Sequence, residues 1–84
     1  RIFVFGDVSK PGSFPYEEGM TIVAAVSSAG GFNRTAARNG VNVTRLIEGR
    51  ETRVPVKVED IINGSEKNFA LQPGDIVFVP EGFL

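Results

Sequence analysis

The chain has 84 residues, 42% of them hydrophobic and 23% charged, which is ordinary globular usage and argues against wholesale disorder. Nine Lys and Arg stand against ten Asp and Glu, a formal charge of -1. That balance argues against a dedicated nucleic-acid binder, whose affinity would rest on neutralising phosphates with a basic surface. The absence of Cys removes disulfides and thiolate metal sites, and the absence of His removes the commonest general base and metal ligand. Stand-alone catalysis is disfavoured on those grounds.

At this length the expectation is a single domain over residues 1–84. Such a chain buries only about 60–65% of the surface its unfolded form exposes, so the core must be small. No run reaches the roughly 18–20 apolar residues that span a bilayer, and no signal-peptide pattern opens the sequence. Arg1 rather than Met stands first, which predicts a fragment of a longer protein, with any leader, anchor or companion domain outside it.

In chain order, Phe3, Val4, Phe5 and Val8 open a strand rich in β-branched and aromatic residues. The two-residue period puts Ile2, Val4 and Val8 on one face and Phe3, Phe5 and Asp7 on the other. Gly6 is a position where a neighbour can approach closely or a bulge can form. Lys10-Pro11-Gly12-Ser13 reads as a tight turn, and Phe14 to Tyr16 as a short returning strand kept at an edge by Pro15. Thr21 is placed to cap a helix whose apolar stripe is Ile22, Val23, Val26 and Ala29, with Gly30-Gly31 ending it. At two to three turns and rich in β-branched residues, this helix needs a sheet to pack on.

A polar connection runs from Phe32 to Gly40, with a turn of helix expected at Thr35 to Arg38. Val41–Ile47 and Thr52–Val58 read as two strands joined by the loop Glu48-Gly49-Arg50-Glu51, with Pro55 placing the second near an edge. Val58 to Ile62 has the alternative of starting a single helical turn, closed by Asn63-Gly64-Ser65. After the second Pro-Gly turn, Gln72-Pro73-Gly74-Asp75, comes the run Ile76-Val77-Phe78-Val79. It lacks alternation, so a central strand covered on both faces is expected. The predicted fold class is α+β: a mixed four- to five-stranded sheet covered on one face by a single main helix, in the element order of a β-grasp.

Three segments together carry a family resemblance. Val4-Phe5-Gly6-Asp7-Val8 with Lys10-Pro11-Gly12-Ser13-Phe14 resembles the opening hairpin of SLBB domains, the soluble-ligand-binding β-grasp family. Thr21 to Val26, continuing through Ala29-Gly30-Gly31-Phe32, is similar to that family's helix and its end, and Leu71 to Pro80 to its closing strand. The particular flavour resembles the periplasmic SLBB repeats of Wza-type outer-membrane polysaccharide export proteins. The resemblance implies a non-catalytic periplasmic module without cofactor, self-associating with neighbouring subunits into a ring-shaped conduit for capsular or exopolysaccharide. Attachment to the outer membrane would come through parts outside this segment, which inserts into no membrane itself. Related modules occur in cobalamin-binding and DNA-uptake proteins, so a soluble sugar- or corrinoid-binding module is the alternative.

Other candidate chemistry is weak. No Gly-rich phosphate motif follows a strand. The acid pairs Glu17-Glu18 and Glu59-Asp60 read as solvated surface, and Ser27-Ser28 have no base. The sequons at Asn33, Asn42 and Asn63 are chance triplets if the bacterial resemblance holds. Phe3 and Phe5 have two readings: a protein-binding patch, or rings covered by Phe32, Phe69 or the tail Phe83-Leu84. An exposed Phe or Tyr16 could stack on a sugar. Asn33, Arg34 and Arg38, in the loop after the helix, are candidates for gripping an acidic sugar or an acidic partner surface, or are simply solvated. No metal site is expected.

Overall fold

The computed structural model describes residues 1–82. The strands are β1 (Ile2–Gly6), β2 (Gly12–Phe14), β3 (Val41–Ile47), β4 (Arg50–Val56) and β5 (Ile76–Val79). The helices are α1 (Ile22–Ser28) and α2 (Val58–Ile62). One five-stranded sheet has the order β2-β1-β5-β3-β4. β1 and β5 run parallel in its middle, and the other neighbours are antiparallel. This is a mixed α+β fold of the β-grasp kind, with the last strand returned to the centre.

The alternation in β1 is realised: Ile2 and Val4 are fully buried while Phe5 lies on the opposite, open face. Ile2, Val4, Val41, Val43, Val77 and Val79 form the sheet side of the core. Above them lie Ile22, Ala25 and Ala29 of the α1 segment, Val58 of α2, and Leu71. A single covering helix was expected, but the layer is shared. α1 has only seven residues and α2 five, and Tyr16, Met20, Phe32 and Phe69 from the loops fill in around them.

Local chemistry fixes the ends of α1. The Thr21 hydroxyl accepts from the Ala24 amide at 3.3 Å, and at the other end Gly31 N–H donates to Val26 O and Gly30 N–H to Ser27 O. That pair of bonds is a Schellman ending, made possible by φ of 81° at Gly30, the residue after the C-cap. The end of the helix is tied to the segment that follows β1, since Ser9 N–H donates to Gly31 O and Lys10 N–H to Ala29 O. Gly6 is a close approach. Its φ is 96°, and a Cβ there would overlap the Val79 carbonyl, so β1 and β5 meet only because this residue has no side chain.

Three boundaries differ from expectation. β2 begins at Gly12, which pairs with Val4, rather than at Phe14, because Gly12 and Ser13 extend the ladder instead of turning the chain. The β3–β4 connection is a two-residue turn, since Ile47 pairs with Arg50. Glu48 and Gly49 both have positive φ, 52° and 77°, as a type I′ turn requires. Residues 35–38 form turns rather than helix, held by Ala36 N–H to Asn33 O and Ala37 N–H to Pro80 O.

The edge position of β4 agrees with Pro55. By the antiparallel alternation from the Ile47–Arg50 pair, residue 55 faces its backbone outward, so the missing N–H costs no ladder bond.

Candidate functional site

The face of the sheet away from the core is the most unusual surface of the molecule. The register places Phe3 beside Ile76 and Phe5 beside Phe78, and paired residues share a face. Four apolar side chains from the two central strands therefore form one patch. Phe5 is 43% exposed, Phe78 47% and Ile76 36%. The Phe3 and Phe5 rings lie parallel, 6.5 Å between centroids and 7° between planes. Across β3 the patch meets Asn42 and Thr44, the partners of Phe78 and Ile76, and beyond them Pro55 and Arg53 of β4. An apolar centre with a polar margin is the composition of a protein-contact surface.

β5 was expected to be covered on both faces. It is central in the ladder, but its burial alternates, with Val77 and Val79 sealed and Ile76 and Phe78 open. An uninterrupted apolar run satisfies either a doubly covered strand or one that presents an apolar surface outward. Phe32 and Phe69 do not cover Phe3 and Phe5, because both pack against the core on the helix side. Phe83-Leu84 lie outside the described residues.

Asn33 and Arg34 occupy the loop after α1, and Asp7 organises it. Asn33 Nδ2 donates to Asp7 Oδ1 at 2.8 Å and to Val8 O at 3.2 Å, and Thr35 Oγ1 donates to Asp7 Oδ2 at 2.6 Å. The Asn33 amide is thus committed to holding the loop on the end of β1. Arg34 is exposed and lines an open groove with Asn33, Thr35 and Asn39. Arg38 turns to the helix layer, 3.4 Å from Glu59 and with its guanidinium 5.6 Å from the centre of the Phe32 ring. The two arginines are not brought together. Tyr16 is on neither surface; it packs on the core, and its hydroxyl donates to Leu71 O at 3.3 Å.

Two features gave no signal in the sequence. One is the pair Arg45–Asp75. Asp75 is 1% exposed and accepts from Arg45 Nε at 3.0 Å, from Arg45 Nη2 at 2.7 Å and from the Gln72 amide at 2.8 Å. Arg45 also donates to Ala70 O and lies 5.2 Å above the Phe69 ring. The side-chain hydrogen bonds to Asp75 raise the Arg45 pKa above its ordinary value; burial opposes this, and the charge of Asp75 adds to it. This buried fork pins the Pro-Gly turn that launches β5.

The other is a groove of about 380 Å³ between α1 and α2, with Val23, Val26, Phe32, Val58 and Ile62 in its walls and Ser27 its one polar side chain. Among the described residues no three acids cluster as metal ligands, and no helix is long and apolar enough to cross a membrane.

The sheet order, the Gly6 contact and the Schellman ending account physically for the three segments that carried the resemblance. The sequence model of the SLBB domain matches residues 1–79. With nearly the whole chain matched, the protein belongs to the SLBB domain family, a family of soluble-ligand-binding modules.

Proposed function

We propose that this domain is a non-catalytic SLBB module of a periplasmic, outer-membrane-associated polysaccharide export protein, scaffolding an oligomeric conduit for capsular or exopolysaccharide. The observation that carries the reading is the open patch of Phe3, Phe5, Ile76 and Phe78. A small domain that leaves Phe5, Ile76 and Phe78 open on one face of its sheet, with Phe3 half-buried beside them, gains by covering them with another protein surface, and contiguous apolar patches mark such contacts. The absence of His and Cys supports a structural rather than a chemical role. Nearly balanced charge suits packing among like copies, because no strong like-charge repulsion opposes it.

Sedimentation of the 84-residue chain over a range of concentrations tests this, with Phe5→Ser/Phe78→Ser as the control. The expected result is concentration-dependent self-association that the double variant weakens while its melting temperature holds. A monomer at every concentration overturns the scaffold reading. The second reading, a small-ligand module, has the α1–α2 groove in its favour. It predicts saturable NMR shifts at Val23, Val26 and Phe32 on titration with oligosaccharide or cobalamin. Against it stands the lack of convergent polar groups, since ligand sites fix orientation with several of them.

A further inference from the structure

β3 and β4 run past the rest of the sheet. β5 pairs with β3 only over Asn42–Thr44, whereas the β3–β4 ladder continues to Ile47 and Arg50. The result is a two-stranded arm. Its end carries Leu46, 72% exposed, and Ile47, 47% exposed, on the β3 side of the turn of Glu48 and Gly49. Apolar side chains at a hairpin tip gain nothing from their own domain.

The α1–α2 groove is the reverse of that tip: an apolar hollow lacking an occupant from its own chain among the described residues. The topology keeps the two apart. The arm lies beyond the end at which β1 and β5 begin, because β3 runs antiparallel to β5. The groove lies beyond the end at which β1 finishes, since Gly31 O accepts from Ser9 N–H and Phe32 bridges Val8. Arm and groove thus lie toward opposite ends of the sheet, and one copy's arm does not reach its own groove.

We infer that Leu46, the more exposed apolar side chain at the arm tip of one copy, seats in the α1–α2 groove of the next, a head-to-tail contact between copies of this chain. The occupant is a second copy for three reasons. The hollow has the capacity for one or two aliphatic side chains, and its single polar side chain, Ser27, does not suit a hydrogen-bonding small molecule. Knob and hollow sit at opposite ends of one domain, the arrangement that yields a heterologous contact, which closes into a ring or runs on as a filament. Charge also matches: Glu48 of the turn and Lys10, whose side chain approaches Gly30 in the groove wall, are of opposite sign, and among the described residues neither forms an ion pair within its own domain. The inference rests on the self-association proposed above and adds to the phenylalanine face a second, directional contact between copies.

The chain has no cysteine, so introduced thiols report contact cleanly. Leu46→Cys and Ser27→Cys chains are mixed in equal amounts under a glutathione redox buffer, and the disulfide products are weighed by mass spectrometry. The expected result is a several-fold excess of the mixed dimer over its statistical share. That excess falls when Glu48→Lys is added to the first chain and returns when Lys10→Glu is added to the second. A statistical product mixture, or a dominant Leu46→Cys homodimer, overturns the head-to-tail contact. If a parallel Phe5→Cys chain cross-links to itself efficiently in that case, self-association survives through the sheet face and only this inference fails. If neither experiment exceeds the statistical share and sedimentation finds a monomer, both fail.

Discussion

On the helix side of the sheet, β1 and β5 present Ile2, Val4, Val77 and Val79, all sealed from solvent. On the reverse the same two strands present Phe3, Phe5, Ile76 and Phe78, with the last three open to it. Neighbouring residues of equal hydrophobicity thus do different work because a strand alternates its side chains. The inner set gains from burial within the chain. The outer set gains nothing until something else covers it. Stability and association should therefore separate cleanly between the two faces.

The most damaging change to the inner layer is at Gly6. Gly6→Val forces a Cβ onto the Val79 carbonyl in a backbone conformation that side chains rarely adopt. The β1–β5 pairing is the middle of the sheet, so the variant is expected to lack a cooperative thermal transition, read by near-UV circular dichroism. Asp75→Ala comes next. It strands the Arg45 guanidinium in a site closed by Phe69 and Ala70, and breaking a buried pair costs about 3–5 kcal/mol. For an 84-residue domain whose total stability is of order 4–12 kcal/mol, urea titration should find most of it gone. The sign of the pH effect follows from Arg45. Its pKa is raised in the fold, so its contribution is complete below the ordinary arginine value and is lost only as pH rises through the still higher folded one. Across neutral pH this group should leave stability flat.

A direct comparison of faces follows. Ile2→Ala empties a fully buried site and is expected to cost about 2–5 kcal/mol. Phe78→Ala, four positions from the end of the described chain on the open face, is expected to cost less than about 1 kcal/mol. It should nevertheless reduce self-association in sedimentation. Equal losses of stability in the two variants would mean that the outer face is as much core as the inner.

The division between what could and could not be read beforehand follows the same physics. Thr21, the stripe from Ile22 to Ala29 and the Gly-Gly ending are local signals, and the helix stands where they put it. The alternation of β1 and the edge placement of β4 are local too. The exposure of Phe78 is not, because Ile76-Val77-Phe78-Val79 has no polar residue to mark an outward face. The partnership of Arg45 with Asp75, 30 positions apart, depends on the β3–β5 pairing, which no short window contains. Asn33 could be picked out as a loop residue, but its commitment to Asp7 depends on the loop folding back over the end of β1. Arg34 and Arg38, four positions apart, would share a face only on a helix. The chain turns there instead, so that argument had no helix to act on.

The smallest effect concerns the arm. Glu48 is the one non-glycine residue with positive φ among those described, and a left-handed conformation costs a residue bearing a Cβ roughly 1–2 kcal/mol. Asn tolerates it better, and Asn-Gly is the favoured pair for a two-residue turn. Glu48→Asn should therefore stabilise the domain by about 0.5–1 kcal/mol, raising the melting temperature by a few degrees. The same change removes the acid that faces Lys10 of the neighbouring copy in the head-to-tail contact, so a melting temperature that rises while cross-linking between Leu46→Cys and Ser27→Cys falls would separate the turn's two roles. A fall in melting temperature would mean that Glu48 is held by interactions at the tip stronger than its backbone strain.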